Sequence, residues 1–245
     1  MSARITDITY YPVKGCAGVT VTEAEVLPTG LRDDRAYAIV DEKGDTRWQG
    51  GDPTLALIAP EPVDGGLLLR APGMETLRVP PDGGGTADAW LTEFLGSPSR
   101  LVRPPDGNGA RLHVVSRATL DLLNAKLVER GEQPLPMDRF RPNVVIGGWP
   151  DPHTEDTAGR LALGGTELTF TERTIRCAVT MVDQSTGTRS GPEPLRTLAD
   201  YRREPEGVAL GAYYTVVRAG RVAVGDPASL TGSPDAPRRE GAPGA

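Results

Sequence analysis

The sequence predicts a mainly β fold of the α+β class, with a barrel-like N-terminal region and a few short helices. Short β-branched or apolar runs recur along the chain, and turn residues separate them. The 245 residues include 30 Gly and 23 Pro, so turns are frequent and long helices are disfavoured. A chain of this length buries a sizeable apolar core without help from disulfides.

The N-terminal part contains five predicted strands, and their spacing is typical of a small barrel or curled sheet. The strands are ITDITYYPV (5–13), VTVTEAEVL (19–27), AYAIVDE (36–42), LALIAP (55–60) and GLLLRAP (66–72). A helix is predicted from about Thr86 to Leu95, because Thr86 is a good cap and Gly96 a good terminator. We therefore predict a first, barrel-like domain over residues 1–97.

A second domain is predicted over residues 98–231, and it opens with a connector at 98–111. A helix runs from Ser116 to Arg130, because its leucines repeat at helical spacing and Gly131 ends it. Pro194 opens a short helix, PLRTLADYRR. The predicted strands are PNVVIGG (142–148), RLALGG (160–165), TELTFTE (166–172), AVTMVDQ (178–184), AYYTVVRAG (212–220) and RVAVGDPASL (221–230). The Pro/Gly-rich tail at 232–245 is predicted to be disordered.

Composition excludes several classes of function. The net charge of −6 argues against a nucleic-acid binder, which normally has a basic face. No apolar stretch approaches the ~18 residues of a membrane span, and the N-terminus lacks the apolar core of a signal peptide. We therefore predict a cytoplasmic protein. The two Cys and two His are too few and too far apart for a disulfide framework, a Cys/His zinc site or a four-thiolate iron–sulfur cluster.

Taken alone, the candidate residues are ambiguous. Cys177, in TIRCAVTMVD, reads first as a small buried hydrophobe, although Arg176 beside it would favour the thiolate. Cys16 reads as a spacer in a tight turn, His113 as a core histidine and His153 as an exposed loop residue. Four basic residues lie at strand ends, where they either face solvent or converge on a phosphate. They are Lys14, Arg35, Arg139 and Arg141.

Several segments, in this order, together resemble one family: YPVKGCAG, LRDDRAYAIVD, RFRPNVVIGG, RCAVTMVDQSTGTRSGPEPLRTLADYR and VAVGDP. They resemble proteins with a MOSC N-terminal β-barrel and a MOSC domain, among them the mitochondrial amidoxime-reducing component and its bacterial counterparts. The resemblance covers about Ile5 to about Leu230. It implies a MOSC β-barrel domain over 98–231, with a cofactor in a cleft between that region and the N-terminal barrel.

The resemblance implies a molybdenum cofactor (Mo-molybdopterin), a pyranopterin with a dithiolene and a terminal phosphate. Cys177 falls on the cysteine of the family pattern RC-x-x-T-x-VD-x-x-TG, which is the metal ligand. A soft thiolate suits a metal that sulfur already holds. At the level of the domain alone, the family is also associated with pyridoxal phosphate binding.

Other site residues follow from the same resemblance. Lys14 and Arg35 fall on residues that bind the phosphate, and Arg141 and Asn143 fall on positions near the pterin. Ser116 matches a residue at the start of a short helix, and capping that helix is an equally good interpretation. A catalytic role is predicted for Asp183, which would orient the strand end beside the metal.

Three departures from the family pattern affect the expected site. Gly15 stands where serine is common, which removes a phosphate contact. The segment RWQGGDP (47–53) carries Gly50 where an arginine is common. The polar run PPDGNGARLHVVS (104–116), which borders the cofactor in relatives, is shortened.

The resemblance implies a molybdenum-dependent oxidoreductase that reduces N-hydroxylated small molecules. The chain has no cysteines for an iron–sulfur domain, so its electrons are expected from a separate ferredoxin- or cytochrome-type protein with its reductase. Two alternatives remain open. One is a non-catalytic sulfur or molybdenum cofactor carrier that uses Cys177. The other is a specialised biosynthetic enzyme on the same scaffold, for which the altered segment 47–53 leaves room.

Overall fold

Strands dominate the computed structural model, which describes residues 2–80, 85–104 and 111–233. The described N-terminal elements are β1 Arg4–Tyr10, β2 Val19–Val21, β3 Glu23–Leu27, β4 Gly30–Leu31, β5 Ala38–Val40, β6 Ala59–Val63, β7 Gly66–Arg70, β8 Leu77–Val79, helix α1 Gly85–Leu95 and β9 Arg100–Val102. The mainly β prediction is confirmed, with a barrel-type N-terminal domain.

The remaining elements build the larger part of the molecule. They are β10 Arg111–Ser116, α2 Arg117–Glu129, β11 Val144–Gly147, β12 Arg160–Leu163, β13 Thr166–Arg176, β14 Val182–Asp183, β15 Thr188–Arg189, α3 Leu195–Tyr201, β16 Arg203–Glu204, β17 Gly207–Arg218, β18 Gly220–Ala223 and β19 Ala228–Thr231. Short 3₁₀ turns span Pro53–Leu57, Met137–Phe140, Thr154–Asp156 and Ala178–Met181.

One large sheet positions most of the candidate residues. Its strand order is β19-β12-β13-β17-β10-β11-β1-β2, and β16 pairs with β17. Strands β1 and β11 are antiparallel, whereas β10 and β11 are parallel. Lys14 and Cys177 lie in the segments that follow β1 and β13, and Arg141 lies in the turn that precedes β11.

Three smaller sheets contain most of the other N-terminal strands: β18-β3-β4, which includes a strand from the C-terminal part, β5-β9 and β6-β7-β8. An apolar cluster lies between the last two of these sheets and α1, with Ile39, Leu55, Leu69 and Leu91 completely or almost completely buried. A separate cluster lies against the large sheet and includes Ile8, Val114 and Tyr214. Strands β1 and β2 join the large sheet, so the N-terminal segment contributes to both parts.

Two predicted strands are wrong in part. The run at 55–60 begins as a 3₁₀ turn, because Pro53 opens a helical turn that buries Leu55 and Ala56, and only Ala59 and Pro60 belong to a strand. The run at 178–184 also begins as a 3₁₀ turn, and only Val182 and Asp183 form a strand. Both runs are apolar, and an apolar run alone does not separate a buried strand from a buried turn.

The connector prediction is also wrong in part, since β9 lies inside it and pairs with β5. Its residues 105–110, and the tail beyond Ser233, lie outside the described residues. The helix predicted from Ser116 is confirmed: the Ser116 hydroxyl accepts a hydrogen bond from Thr119 N and caps α2. Among the helices that are described, none has the length and apolarity needed to span a bilayer.

Candidate functional site

Cys177 lies at the surface, directly after β13 and at the start of a 3₁₀ turn. Its carbonyl accepts hydrogen bonds from Thr180 N at 3.1 Å and Thr180 Oγ1 at 3.0 Å. These bonds fix the backbone of the turn, while the thiol stays accessible. The interpretation as a small buried hydrophobe therefore fits Cys16 instead. Burial raises the pKa of the Cys16 thiol to about 12.

Two arginines lie against the ring of Tyr11, just after β1. The guanidinium carbon of Arg141 is 4.1 Å from the ring centroid, and that of Arg35 is 4.9 Å away. Burial raises the pKa of Tyr11 to about 12, and its hydroxyl donates to the Pro142 carbonyl, so the ring is neutral. Tyr11 therefore holds two cations close together without neutralising either.

A third arginine joins this group through a buried histidine. His113 Nε2 lies 3.4 Å from Arg176 Nη1, and His113 Nδ1 lies 3.3 Å from the Arg141 carbonyl. Burial, together with Arg176, lowers the pKa of His113 well below its usual range, so the ring is neutral. We refer to Arg35, Arg141 and Arg176, with Tyr11, His113 and Asp34, as the arginine cluster.

Positive charge exceeds negative charge in this cluster. Asp34 accepts hydrogen bonds from Tyr11 N at 2.8 Å and from the Arg35 guanidinium. Asp138 interacts electrostatically with Arg141, so among the described residues two carboxylates face three positive charges. Burial lowers the pKa of both Arg141 and Arg176, and Arg35 adds to the lowering in each. Buried cations in excess favour an anionic ligand, because an added anion removes their mutual repulsion.

Arg176 also has an unused donor. Its Nη2 donates to the Phe140 carbonyl at 2.9 Å, but its buried Nε has no hydrogen-bond partner within the described part of the chain. From the sequence, Arg176 is predicted only to favour the Cys177 thiolate. Its position directly before Cys177 in the RC motif was the signal that could have placed it in the site.

Lys14 occupies the exposed turn after β1. The turn backbone is held by a hydrogen bond from Lys14 N to the Tyr37 carbonyl at 2.8 Å, and Gly15 adopts a positive φ of 83°. Within the residues described, the Lys14 ammonium contacts no carboxylate. The backbone of Lys14 is therefore fixed, and its side-chain charge is available to a ligand.

Asn143 and Ser116 are buried and serve the fold. Asn143 Oδ1 accepts from His113 N at 3.1 Å, and Asn143 Nδ2 donates to the Thr9 carbonyl at 3.1 Å, so this amide ties β1 to β10. Ser116 caps α2. The cofactor-binding roles of both residues stay predictions, and their burial gives a direct contact no support.

Asp183 holds the hairpin that follows Cys177. Its Oδ1 accepts hydrogen bonds from Ser185 N, Ser185 Oγ and Thr186 N, and its Oδ2 accepts from Arg139 Nη2 at 3.0 Å. The Ser185 hydroxyl bond is the largest cause that lowers the pKa of Asp183 to about 2. Asp183 is thus a charged carboxylate that shapes the turn. Arg139, the fourth basic residue, pairs with it instead of joining the arginine cluster.

A cleft of about 490 Å³ opens beside Arg141, with Tyr11, Gly18, Met137 and Gln184 among its lining residues. Cys177 does not line it. The segment 105–110, expected to border the cofactor, lies outside the described residues. In the described ranges, no group of three or more His, Cys, Asp or Glu side chains is placed to hold a metal ion. A metal at Cys177 would therefore need further ligands from outside these side chains.

Family models match nearly the whole chain. A model described as the MOSC domain matches residues 104–229, and one described as the MOSC N-terminal beta barrel domain matches residues 2–88.

Curated relatives show the same likeness. Mitochondrial amidoxime reducing component 2 from Homo sapiens is 32% identical over 89% of this chain and 80% of its own length. The Bos taurus protein of that name is 30% identical over 91% and 82%. The molybdenum cofactor sulfurase from Danio rerio is 30% identical over 82% of this chain, but only 31% of the sulfurase is covered.

Proposed function

The chain belongs to the MOSC domain family, with a MOSC N-terminal β-barrel domain ahead of the MOSC domain, and from this premise we propose that it binds a molybdenum cofactor and reduces N-hydroxylated small molecules. The names of its relatives, an amidoxime-reducing component and a molybdenum cofactor sulfurase, support a function related to this cofactor. The observation that carries the proposal is an exposed cysteine directly after one member of a cluster of three arginines, of which Arg141 is buried and Arg35 and Arg176 are partly buried.

The residues present fit such a cofactor. A phosphate-bearing anion would compensate the excess positive charge of the arginine cluster and offer an acceptor to the unpartnered Arg176 Nε. The Cys177 thiolate is a suitable ligand for a metal that already has sulfur ligands. Lys14 and Arg35 would bind the phosphate, and Arg141 would hold the pterin. Asn143, two residues after Arg141, would act on the pterin side by fixing β1 against β10.

When bound, the cofactor would supply a two-electron redox centre. The overall reaction consumes two electrons and two protons, breaks the N–O bond of an N-hydroxylated substrate, and releases the N–H product and water. The electrons would come from a separate donor of the ferredoxin or cytochrome type with its reductase. Asp183 would contribute by holding the hairpin after Cys177 in one conformation, because four hydrogen bonds fix its carboxylate.

A second candidate is a carrier of sulfur or of the cofactor itself, with Cys177 as the carrying thiol. The likeness to the molybdenum cofactor sulfurase favours it. A carrier would bind cofactor, or a persulfide on Cys177, without turning over N-hydroxylated compounds. The two candidates therefore separate in an assay with a chemical electron donor.

The test measures molybdenum and pterin in wild-type protein and in Cys177→Ala, both made in a host that synthesises the cofactor. We expect near-stoichiometric molybdenum and N-reductive activity in the wild type. Cys177→Ala should lose the activity entirely while its melting temperature stays unchanged, because the side chain is exposed.

The control is Cys16→Ala, which removes the other thiol of the chain. Cys16 is fully buried, so this variant should melt at a lower temperature but still contain molybdenum. Full activity in Cys177→Ala would overturn the metal-ligand assignment. Stoichiometric cofactor without any turnover in the wild type would favour the carrier.

A further inference from the structure

Two glutamine side chains from distant parts of the sequence form a reciprocal pair. Gln49 Nε2 donates to Gln184 Oε1 at 3.0 Å, and Gln184 Nε2 donates to Gln49 Oε1 at 3.1 Å. Gln49, in the altered segment 47–53, is only 1% exposed. Gln184 lies in the hairpin that follows Cys177. We call these two side chains the amide pair.

Each amide also reaches a residue of the proposed site. Gln49 Nε2 donates its second hydrogen to the Gly15 carbonyl at 3.0 Å, next to Lys14. Gln184 Oε1 accepts a second hydrogen bond, from Arg141 Nη1 at 3.2 Å. Gln184 Nε2 donates its second hydrogen to the Val182 carbonyl at 3.1 Å. All four amide hydrogens of the pair are therefore used.

The saturation of these bonds limits where each partner can lie. A primary amide has two hydrogens in one plane, so Gln49 fixes the Gly15 carbonyl relative to Gln184. Gln184 in turn fixes the Arg141 guanidinium relative to β14. Arg141 is held from the other side by the Cys16 carbonyl, which accepts from its Nη2 at 2.6 Å. The turn at 14–16 and Arg141 are thus connected by two independent routes.

We propose that the amide pair is a positioning element for anion binding, which sets the turn that carries Lys14 against Arg141 before the ligand arrives. This inference rests on the proposed function, because that function assigns Lys14 and Arg141 to one cofactor. Groups that are held in place in the free protein lose less conformational entropy on binding, so affinity rises. In metal sites, removal of the hydrogen-bond partners that orient the ligands typically lowers affinity by about 10–100-fold, and we expect an effect of the same kind here.

A purely structural role makes a different prediction. The pair also connects the N-terminal segment to the hairpin, so its loss would lower stability even without a ligand. In that case the melting temperature would fall while anion affinity stayed constant. Affinity and stability must therefore be measured on the same variants.

The experiment uses full-length protein freed of cofactor, with inorganic phosphate as the titrant in calorimetry, and pterin content as a second readout on protein made in the competent host. Gln49→Met, Gln184→Met and the double variant remove the amides at nearly constant volume. The matched control is Gln133→Met, because Gln133 is the one remaining glutamine of the chain and is exposed. Gln184→Asn, which is one methylene shorter, tests the same bonds if Gln184→Met does not fold.

Each single variant should weaken phosphate binding by about tenfold and lower the retained pterin, and the double variant should be no worse than either single variant, because the pair acts as a unit. Gln133→Met should match the wild type. Equal phosphate affinity in wild type and Gln184→Met, or fully additive losses in the double variant, would overturn the positioning role alone. A wild-type protein that holds neither phosphate nor pterin would overturn the proposed function itself.

Discussion

Two regions of the molecule group arginine side chains around buried polar residues, and they balance that charge differently. In the described part of the arginine cluster, three guanidinium groups lie near two carboxylates: Asp34 pairs with Arg35, and Asp138 interacts electrostatically with Arg141. Behind α3, Asp156 is 3% exposed and accepts from both Arg202 and Arg173, and Arg173 also pairs with Glu204 at 3.4 Å. The second region therefore has two cations against two carboxylates.

The difference separates a structural network from a binding site. A buried charge is costly unless an opposite charge and hydrogen bonds compensate it. The Asp156 network provides that compensation internally, so it has no need of a ligand. In the part of the chain that the structure describes, the arginine cluster leaves positive charge uncompensated, whereas a buried guanidinium Nε without a partner occurs in both regions, at Arg176 and at Arg202. We infer that the imbalance of charge, and not burial of arginine itself, is what marks a site for an anion.

The largest effect on stability is expected from Asp156→Ala. Removal of this carboxylate leaves Arg202 and Arg173 beside each other without their shared partner, and breaking a buried ion pair typically costs about 3–5 kcal/mol. For a protein of this size, that corresponds to a fall in melting temperature of roughly 10 °C. Asp200→Ala is the matched control, because Asp200 pairs with Arg130 at the surface and should contribute about 0–1 kcal/mol.

Arg141→Met is the corresponding variant in the arginine cluster, and we expect it to affect stability less than Asp156→Ala. It removes one of three cations that repel each other, so the loss of the bonds to Cys16 and Gln184 is partly offset. The ligand-free protein should lose less than half of the free energy of unfolding that Asp156→Ala loses, while pterin retention should fall sharply. A larger loss of stability in Arg141→Met than in Asp156→Ala, measured by urea unfolding, would contradict the comparison.

The next largest effect on stability is expected from acidification, which acts on the region around Asp156. Burial, with Arg202 close by, lowers the pKa of His153 from its ordinary 6.5 to about 4. Between these values the unfolded chain binds a proton on this ring and the folded protein does not. The contribution of His153 to stability is therefore present above pH 6.5 and is lost as pH falls towards 4. Asp156 opposes this lowering, and Arg173 adds to it.

Thermal melting of the wild type and of His153→Gln from pH 7 to pH 4 checks this sign. The wild type should lose stability on acidification, and the glutamine variant, which does not titrate, should lose less. His113 has the same direction of shift, so part of the pH dependence should remain in the variant. If the melting temperatures of the two proteins fell in parallel with pH, His153 would not contribute to the pH dependence of stability.

The sequence predicted the class of fold and most of the strands because alternation and turn residues are local signals. It also predicted the Ser116 cap, which depends on three neighbouring residues. It did not predict the turns at 53–57 and 178–181, since apolar runs suit both states. His153, interpreted as an exposed loop residue, has both ring nitrogens buried, because the loop folds back against Tyr201.

The candidate site shows the same limit. Cys177, Lys14 and Arg35 could be selected by resemblance, but the charge imbalance depends on which residues meet in space. Gln49 and Gln184 are 135 residues apart, and neither carries a local signal for its partner. Long-range polar pairs of this kind are set by the topology of the sheet and hairpin, so they become visible only in the fold.

The smallest effect on stability is expected from Lys14→Ala. This variant tests an exposed charge, whereas the preceding variants test charges that are buried or partly buried. Lys14 is exposed, and its ammonium contacts no carboxylate among the described residues, so the free energy of unfolding should change by less than about 0.5 kcal/mol. Phosphate affinity and pterin retention should nevertheless fall, because a charged contact is lost. Lys43→Ala, at another exposed turn, controls for net charge and should bind as the wild type does. If Lys43→Ala weakened phosphate binding as much as Lys14→Ala, the attraction would be a property of overall charge, and the excess positive charge of the arginine cluster would not define a site.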